Sequence, residues 1–170
     1  MTEIKYVEMI CHLGEGSGME VALPEGYEFG TLDGVWEDDL YPCYYAAFQA
    51  GDARFFFDQS EEERQAYFDT LCLDEARSEP GSSLILRDGG IAGFTYVLPY
   101  GETNRHISCM CVRPDDQRRG LGKFMLSHAM QEVAAQGHKS ITLGTDTDMV
   151  AFHFYRKYGF KIIKEDQQDD

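Results

Sequence analysis

The chain is poor in positive charge, has no long apolar run and shows no cysteine spacing that implies disulfides. Lysine and arginine total 15 against 30 aspartate and glutamate, a formal net charge of −15. Nucleic-acid binding is driven by cationic neutralisation of phosphates, so that class of partner is disfavoured. No segment approaches the ~18 consecutive apolar residues of a membrane span. The opening MTEIKYVEMI carries acids and lacks a basic region ahead of an apolar core, so no signal peptide is expected and the chain reads as cytoplasmic. Five cysteines, an odd number, fit reduced thiols in that compartment. Cys109-x-Cys111, inside a strand pattern, reads as small buried hydrophobes rather than a metal or redox pair. The five histidines show no HExxH or paired-ligand spacing, so no metal is expected. There is no internal repeat, low-complexity tract or linker, and 170 residues make one domain the natural expectation.

What is there is ordinary globular material, 43% hydrophobic and 13% aromatic. The negative balance suits cationic partners such as amines, because the summed field concentrates counter-ions at a cleft. A solvating acidic surface accounts for it equally well.

The most informative stretch is Arg105 to Lys123, RHISCMCVRPDDQRRGLGK. Ile107 to Val112 alternates as a strand, with Ile107, Cys109 and Cys111 expected on one face and Ser108, Met110 and Val112 on the other. Pro114 ends it. The loop Gln117-Arg118-Arg119-Gly120-Leu121-Gly122 then opens an amphipathic helix. Glycines admit a ligand close to the backbone, and the first N–H groups of a helix have no internal partner. With two arginines beside it, such a helix start suits a phosphorylated anion. A P-loop would need Gly at position 117, which is Gln, and Ser or Thr at 124, which is Phe; a dinucleotide fingerprint would need Gly at 125, which is Met.

Elsewhere, Ile4 to Leu13 and Tyr27 to Leu32 read as strands, the first followed by a Gly14-Glu15-Gly16-Ser17-Gly18 turn. Glu37 to Ala50 reads as a helix with Pro42 in its first turn. Ser60 with Glu63 forms a capping-box pattern opening a helix to Ala76, whose Tyr67, Phe68, Leu71 and Cys72 mark a buried face. Ser83 to Arg87 and Ile91 to Leu98 form a hairpin over Asp88-Gly89-Gly90. Helix Leu121 to Gln136, strand Ser140 to Leu143, a helix capped by Thr147 or Asp148 and ending at Gly159, and strand Phe160 to Lys164 complete the chain. This order predicts a mixed α/β (α+β) sheet flanked by helices rather than an alternating doubly wound one.

The Gln-x-x-Gly-x-Gly loop between strand and helix resembles the coenzyme A loop of the GCN5-related N-acetyltransferases (GNAT). A second motif is similar to that family's signature on the following helix: Asp148-x-x-Ala151-x-x-x-Tyr155-x-x-Tyr158-Gly159-Phe160. The resemblance runs from about Tyr27 to Lys164 and implies the family's fold, with a mostly antiparallel central sheet. It implies one domain over 1–170, residues 1–22 an N-terminal extension and 165–170 a disordered tail. It also implies an acetyl-CoA-dependent N-acetyltransferase acting in a ternary complex on a small-molecule amine or a protein amino group. Transfer to a hydroxyl or of a longer acyl chain, and a catalytically silent acyl-CoA-binding module, are the alternatives.

By the same resemblance, the sheet parts between the strand at 105–112 and the next parallel strand, and the pantetheine arm lies in the gap. Val112 and its neighbour Cys111 would meet pantetheine, and the Met110 N–H the acetyl carbonyl. The amides of Arg118, Arg119, Gly120, Leu121, Gly122 and Lys123 would hold the pyrophosphate, with the Arg118, Arg119 and Lys123 side chains as supporting cations and Gln117 also a cofactor-binding residue of the loop. Tyr155 matches the family's acid for the departing thiolate. His106, eleven residues before Gln117, falls where the histone-modifying branch carries a glutamate base, and its ordinary pKa of ~6.5 suits that task; a strand-end histidine with no chemical role, Glu102, His153 and an ordered water chain are the alternatives. Asp148 stands where Asn is usual; an ionised Asp only accepts hydrogen bonds, so helix capping is favoured for it over a cofactor contact. The tail after Phe160 is short for this family, which adds a further strand; Ile4 to Leu13 or a second subunit, hence a homodimer, would cover that edge.

Overall fold

A computed structural model describes residues 5–14, 20–51 and 54–165. Of the expected features, the glycine turn from Glu15 onward and the tail beyond 165 lie outside the described residues.

The strands are β1 (Tyr6–His12), β2 (Glu28–Gly30), β3 (Ser83–Arg87), β4 (Gly90–Tyr100), β5 (Asn104–Val112), β6 (Ser140–Asp146) and β7 (Lys161–Glu165). They form one seven-stranded sheet in the order β2-β3-β4-β5-β6-β1-β7. All pairings are antiparallel except β5 with β6. The expected mixed, mostly antiparallel sheet is what forms. The β3–β4 hairpin turns through Asp88 and Gly89, both with positive φ (51° and 80°), the backbone that the Asp-Gly pair favours. β1 lies inside the sheet, bonded to β6 on one side and β7 on the other. The N-terminal strand thus supplies the extra strand for which a second subunit was the alternative.

Among the described residues five α-helices flank the sheet: α1 (Glu37–Ala50), α2 (Arg54–Phe57), α3 (Glu61–Leu71), α4 (Leu121–Ala135) and α5 (Val150–Lys157). One face carries α4 and α5, where Leu126, Ala129, Val133, Phe152 and Tyr155 pack on Val7, Met9, Ile141 and Leu143. On the other, Leu40, Tyr44, Phe56 and Phe68 from α1–α3 pack on Leu84, Phe94, Tyr96, Cys109 and Cys111. α3 opens with the expected capping box: the Glu63 N–H donates to Ser60 Oγ (3.2 Å) and the Ser60 N–H to Glu63 Oε1 (3.4 Å).

Several expectations need correction. Pro42 is the sixth residue of α1, not in its first turn; it is exposed, so the carbonyl it leaves unpaired faces water. α3 stops at Leu71, and Asp74–Arg77 is a separate 3₁₀ turn. Phe68 and Cys72 are buried as expected, whereas Tyr67 is 40% exposed. Strict alternation along β5 also fails. Its pairing with β4 slips between Tyr96↔Cys109 and Val97↔Ile107, so Ser108 is an extra, bulged residue. Beyond the bulge, Ile107 packs with the α4–α5 layer, whereas Cys109 and Cys111 remain under α1. The Ser108 hydroxyl anchors the bulge by donating to the Leu71 carbonyl (2.9 Å).

Candidate active site

The parallel pairing of β5 and β6 covers only Asn104↔Ser140 to Ile107↔Leu143. Both strands continue past it, β5 to Val112 and β6 to Asp146, so they part in a V from the bulge onward. The β4 register fixes which β5 amides face the gap. The Arg113 N–H bonds the Ala92 carbonyl (2.8 Å), which makes Gly93↔Val112 a pair that exchanges no hydrogen bonds. Val112, and two residues back Met110, therefore direct N–H and C=O away from β4, toward the gap. Cys111 does the opposite: its amide faces β4 and its thiol is buried under α1. Its expected contact to a cofactor is corrected by this placement.

At the wide end of the V lies the glycine loop. Gly120 caps α4 at φ 88° and Arg118 is left-handed at φ 62°. Left-handed residues on either side of Arg119 turn successive N–H groups into a concavity, the nest that suits anions. The first intrahelical bond runs from the Phe124 N–H to the Gly120 carbonyl (3.0 Å). Leu121, Gly122 and Lys123 consequently have no acceptor for their N–H groups within the helix, and the first turn contains no acid to cap them. Gln117 works differently from expectation: its side-chain amide donates to the Val112 carbonyl (2.9 Å), tying the loop to the strand end.

The loop is anchored by a residue sequence reasoning missed. Asp116 is fully buried and accepts from Tyr27 Oη (2.6 Å), Arg87 (2.8 Å) and Arg113. Burial alone would raise its pKa, but the hydrogen bonds from Tyr27, Arg113 and Arg87 outweigh that and hold it down at about 2. In sequence, Asp115-Asp116 looks like a solvated turn; its partners come from three distant elements, and no local signal marks it. Asp116→Ala should cost about 2–3 kcal/mol in denaturant unfolding, at the low end for a broken buried ion pair because both guanidiniums reach solvent. With the folded pKa depressed, this stabilisation is present above the unfolded value near 4 and is lost as pH falls toward 2. A wild-type and variant that lose stability in parallel over that window would contradict this.

Tyr155 lies on α5 in the cluster that holds Ile107 and Leu143, the last residues paired before the strands part. Burial, and then the thiols of Cys109 and Cys111, push its hydroxyl well above the ordinary value, keeping it a proton donor. His106 lies on the opposite face, where Nδ1 meets Thr142 Oγ1 at 2.9 Å and the ring lies 5.6 Å from that of Tyr100. Burial lowers its pKa, against the pull of Glu8. Asp148 does not cap α5; that position is Met149, with no side-chain bond, and Asp148 is exposed. Thr147 is occupied elsewhere, with its Oγ1 accepting from the Lys5 N–H (3.1 Å).

The sheet thus opens between two parallel strands beside an uncapped helix start, an arrangement that can be set against known proteins. The Acetyltransferase (GNAT) family model matches residues 35–160, and the chain belongs to that family. Among curated relatives, it is 29% identical over 154 residues to a mycothiol acetyltransferase of Streptomyces coelicolor, covering 86% of this chain and 47% of the relative. The corresponding figures for that of Clavibacter sepedonicus are 32% over 124 residues, 69% and 40%. The chain thus spans less than half the length of these relatives. Among solved structures, a GCN5-related N-acetyltransferase from Sphaerobacter thermophilus has a TM-score of 0.70 at 18% identity, over 95% of this chain and 49% of its own. The ribosomal-protein-S18-alanine N-acetyltransferase of Escherichia coli has a TM-score of 0.60 at 21% identity, over 81% and 79%. These structures share the fold. Among the described residues no helix is long and apolar enough to cross a membrane, and no group of side chains could hold a metal ion.

Proposed function

We propose that the chain transfers the acetyl group of acetyl-CoA directly to a primary amine, of a small molecule or a protein, in the cytoplasm. The observation that carries this reading is the unpaired edge of β5 past Ile107, leading straight to the uncapped start of α4. An extended pantetheine arm satisfies such an edge as an added strand would. The N–H groups of Arg118 to Lys123 receive the pyrophosphate, with the Arg118, Arg119 and Lys123 side chains as supporting cations. Gly122 fits this role, because a Cβ there would meet only Phe154 at 3.7 Å and nothing within the chain demands glycine. Free, buried thiols at all five cysteines suit a reducing compartment.

In the reaction His106 accepts the proton that the acceptor ammonium must lose, directly or through water. The amine nitrogen forms a bond to the acetyl carbon while the Met110 N–H stabilises the oxygen that becomes negative. The nitrogen, now carrying positive charge, releases its second proton to solvent, the carbon–sulfur bond breaks, and Tyr155 gives its proton to the departing sulfur. Products are the N-acetyl amine and free CoA, and solvent exchange resets both side chains.

Acetyl-CoA is expected to raise the melting temperature by binding the folded state, a gain of about 2.7 kcal/mol at a hundredfold excess over Kd. A thiol-release assay over an amine panel should register free CoA. Absence of a thermal shift at millimolar acetyl-CoA would remove the cofactor assignment.

A further inference from the structure

The α1–α3 layer covers β3, β4 and β5 but not the neighbouring part of the same face. Val7, Met9, Ile141 and Leu143 turn toward α4 and α5, so their alternates Tyr6 and Glu8 on β1 and Thr142, Gly144 and Asp146 on β6 face the other way. None of these belongs to the cluster under α1 and α3. These residues form a strip of sheet face, the trough, that β6 and β1 share outside that apolar layer and that leads to the V between β5 and β6.

Its lining is aromatic and acidic. Tyr6, 51% exposed, lies across Gly144, where any Cβ would overlap its hydroxyl. Tyr67 on α3 is 40% exposed, and burial, then Tyr6, Cys109 and Asp146, raise its pKa. Glu8 pairs with Gly144 in the β1–β6 register, so Asp146 is its diagonal neighbour, with Cα atoms about 7–8 Å apart. Glu8 accepts from Tyr100 Oη (3.3 Å), whose ring lies beside His106. No ion pair reaches the half-buried Asp146 among the described residues, and burial, then the charge of Asp148, raises its pKa.

We propose that this trough is the acceptor subsite, that β1 builds one wall of it, and that it selects small amines bearing a second positive charge. The reacting nitrogen, neutral when it attacks, lies by His106 at the V. A second ammonium group at a few carbons' distance lies between Asp146 and Glu8, with the methylenes and the charge against the Tyr6 and Tyr67 rings. Carboxylates that bind only the reacting nitrogen would hold it protonated and oppose attack, which is why the recognised charge must be a second one. The overall charge of −15 favours arrival of such a dication.

The proposal rests on the acetyltransfer reading, and one experiment separates the two. Thiol release with acetyl-CoA is measured for 1,4-diaminobutane and for butylamine. The diamine should have the higher kcat/KM by at least about 10-fold, the worth of one hydrogen-bonded charge. Asp146→Asn and Glu8→Gln, both isosteric, should each raise the diamine KM about 10-fold, and Asp146→Asn should leave the butylamine KM and the acetyl-CoA thermal shift unchanged. Equal use of the two amines, or variants that retain the preference, would overturn the subsite. If no amine releases CoA, the acetyltransfer reading fails instead. Calorimetry of 1,4-diaminobutane with the protein alone then decides: heat that Asp146→Asn abolishes upholds the subsite, and no heat refutes it.

Discussion

Tyr155→Phe should lower kcat by about 100-fold or more while leaving the acetyl-CoA thermal shift unchanged, since a positioned acid contributes roughly 10²–10⁴. The ring stays in place, edge-on to Phe160 (5.6 Å) and Phe154 (5.5 Å), so the α5 packing on Ile107 and Leu143 persists. Only the hydroxyl is lost. Burial holds that hydroxyl protonated at every pH at which the enzyme would work, so its loss should lower the whole rate profile without moving it. The acidic limb should belong to His106. Burial lowers its pKa, with Glu8 opposing, and a base must be neutral to act; kcat/KM should fall as pH drops through a value below ~6.5. His106→Gln should abolish that limb, whereas Tyr155→Phe should keep it. A Tyr155→Phe enzyme with wild-type kcat would take Tyr155 out of the acid role.

The second large effect should come from one methyl-bearing side chain at the loop. Gly122→Val should weaken acetyl-CoA roughly 100-fold, about 2.8 kcal/mol, with no loss of stability in the free protein. Gly122 has no positive φ, sits in the first turn of α4, and would place its Cβ 3.7 Å from Phe154, an ordinary contact. The unliganded fold therefore has room for a Cβ here, and helix propensity favours valine slightly over glycine. Any penalty must come from the ligand's approach to the helix start. Gly120→Ala is the informative contrast: its φ of 88° makes the substitution strained, so stability should drop by about 1–2 kcal/mol whether or not ligand is present. Calorimetric titration with acetyl-CoA, alongside melting of the free proteins, separates the two. Undiminished affinity in Gly122→Val would remove the pyrophosphate from this loop.

The parts of the protein readable from sequence are those whose physics is local. The Ser60–Glu63 box, the Asp88-Gly89 hairpin, the glycine-spaced start of α4 and the spacing from Asp148 to Phe160 each lie within a dozen or so residues, where φ preferences and unpaired N–H groups dictate the geometry. They carried the fold class, the family resemblance and most of the candidate cofactor loop. Asp148 was misjudged because a capping preference says what can cap, not where β6 ends; β1 extended β6 to Asp146, and Thr147 was drawn to Lys5.

Tertiary structure decided whatever depends on registers between distant strands. Period-two alternation predicted one face for Ile107, Cys109 and Cys111, but the bulge at Ser108 belongs to the β4–β5 pairing and cannot be seen in β5 alone. That register also turns Met110 and Val112, but not Cys111, toward the gap. Asp116 became a buried anchor only when Tyr27, Arg87 and Arg113 converged on it. Likewise, the N-terminal strand joined the sheet between β6 and β7, bringing Tyr6 and Glu8 beside Asp146, some 140 residues away in sequence. Local propensity specifies elements and loops; only chain closure sets which side chains share a face of the sheet.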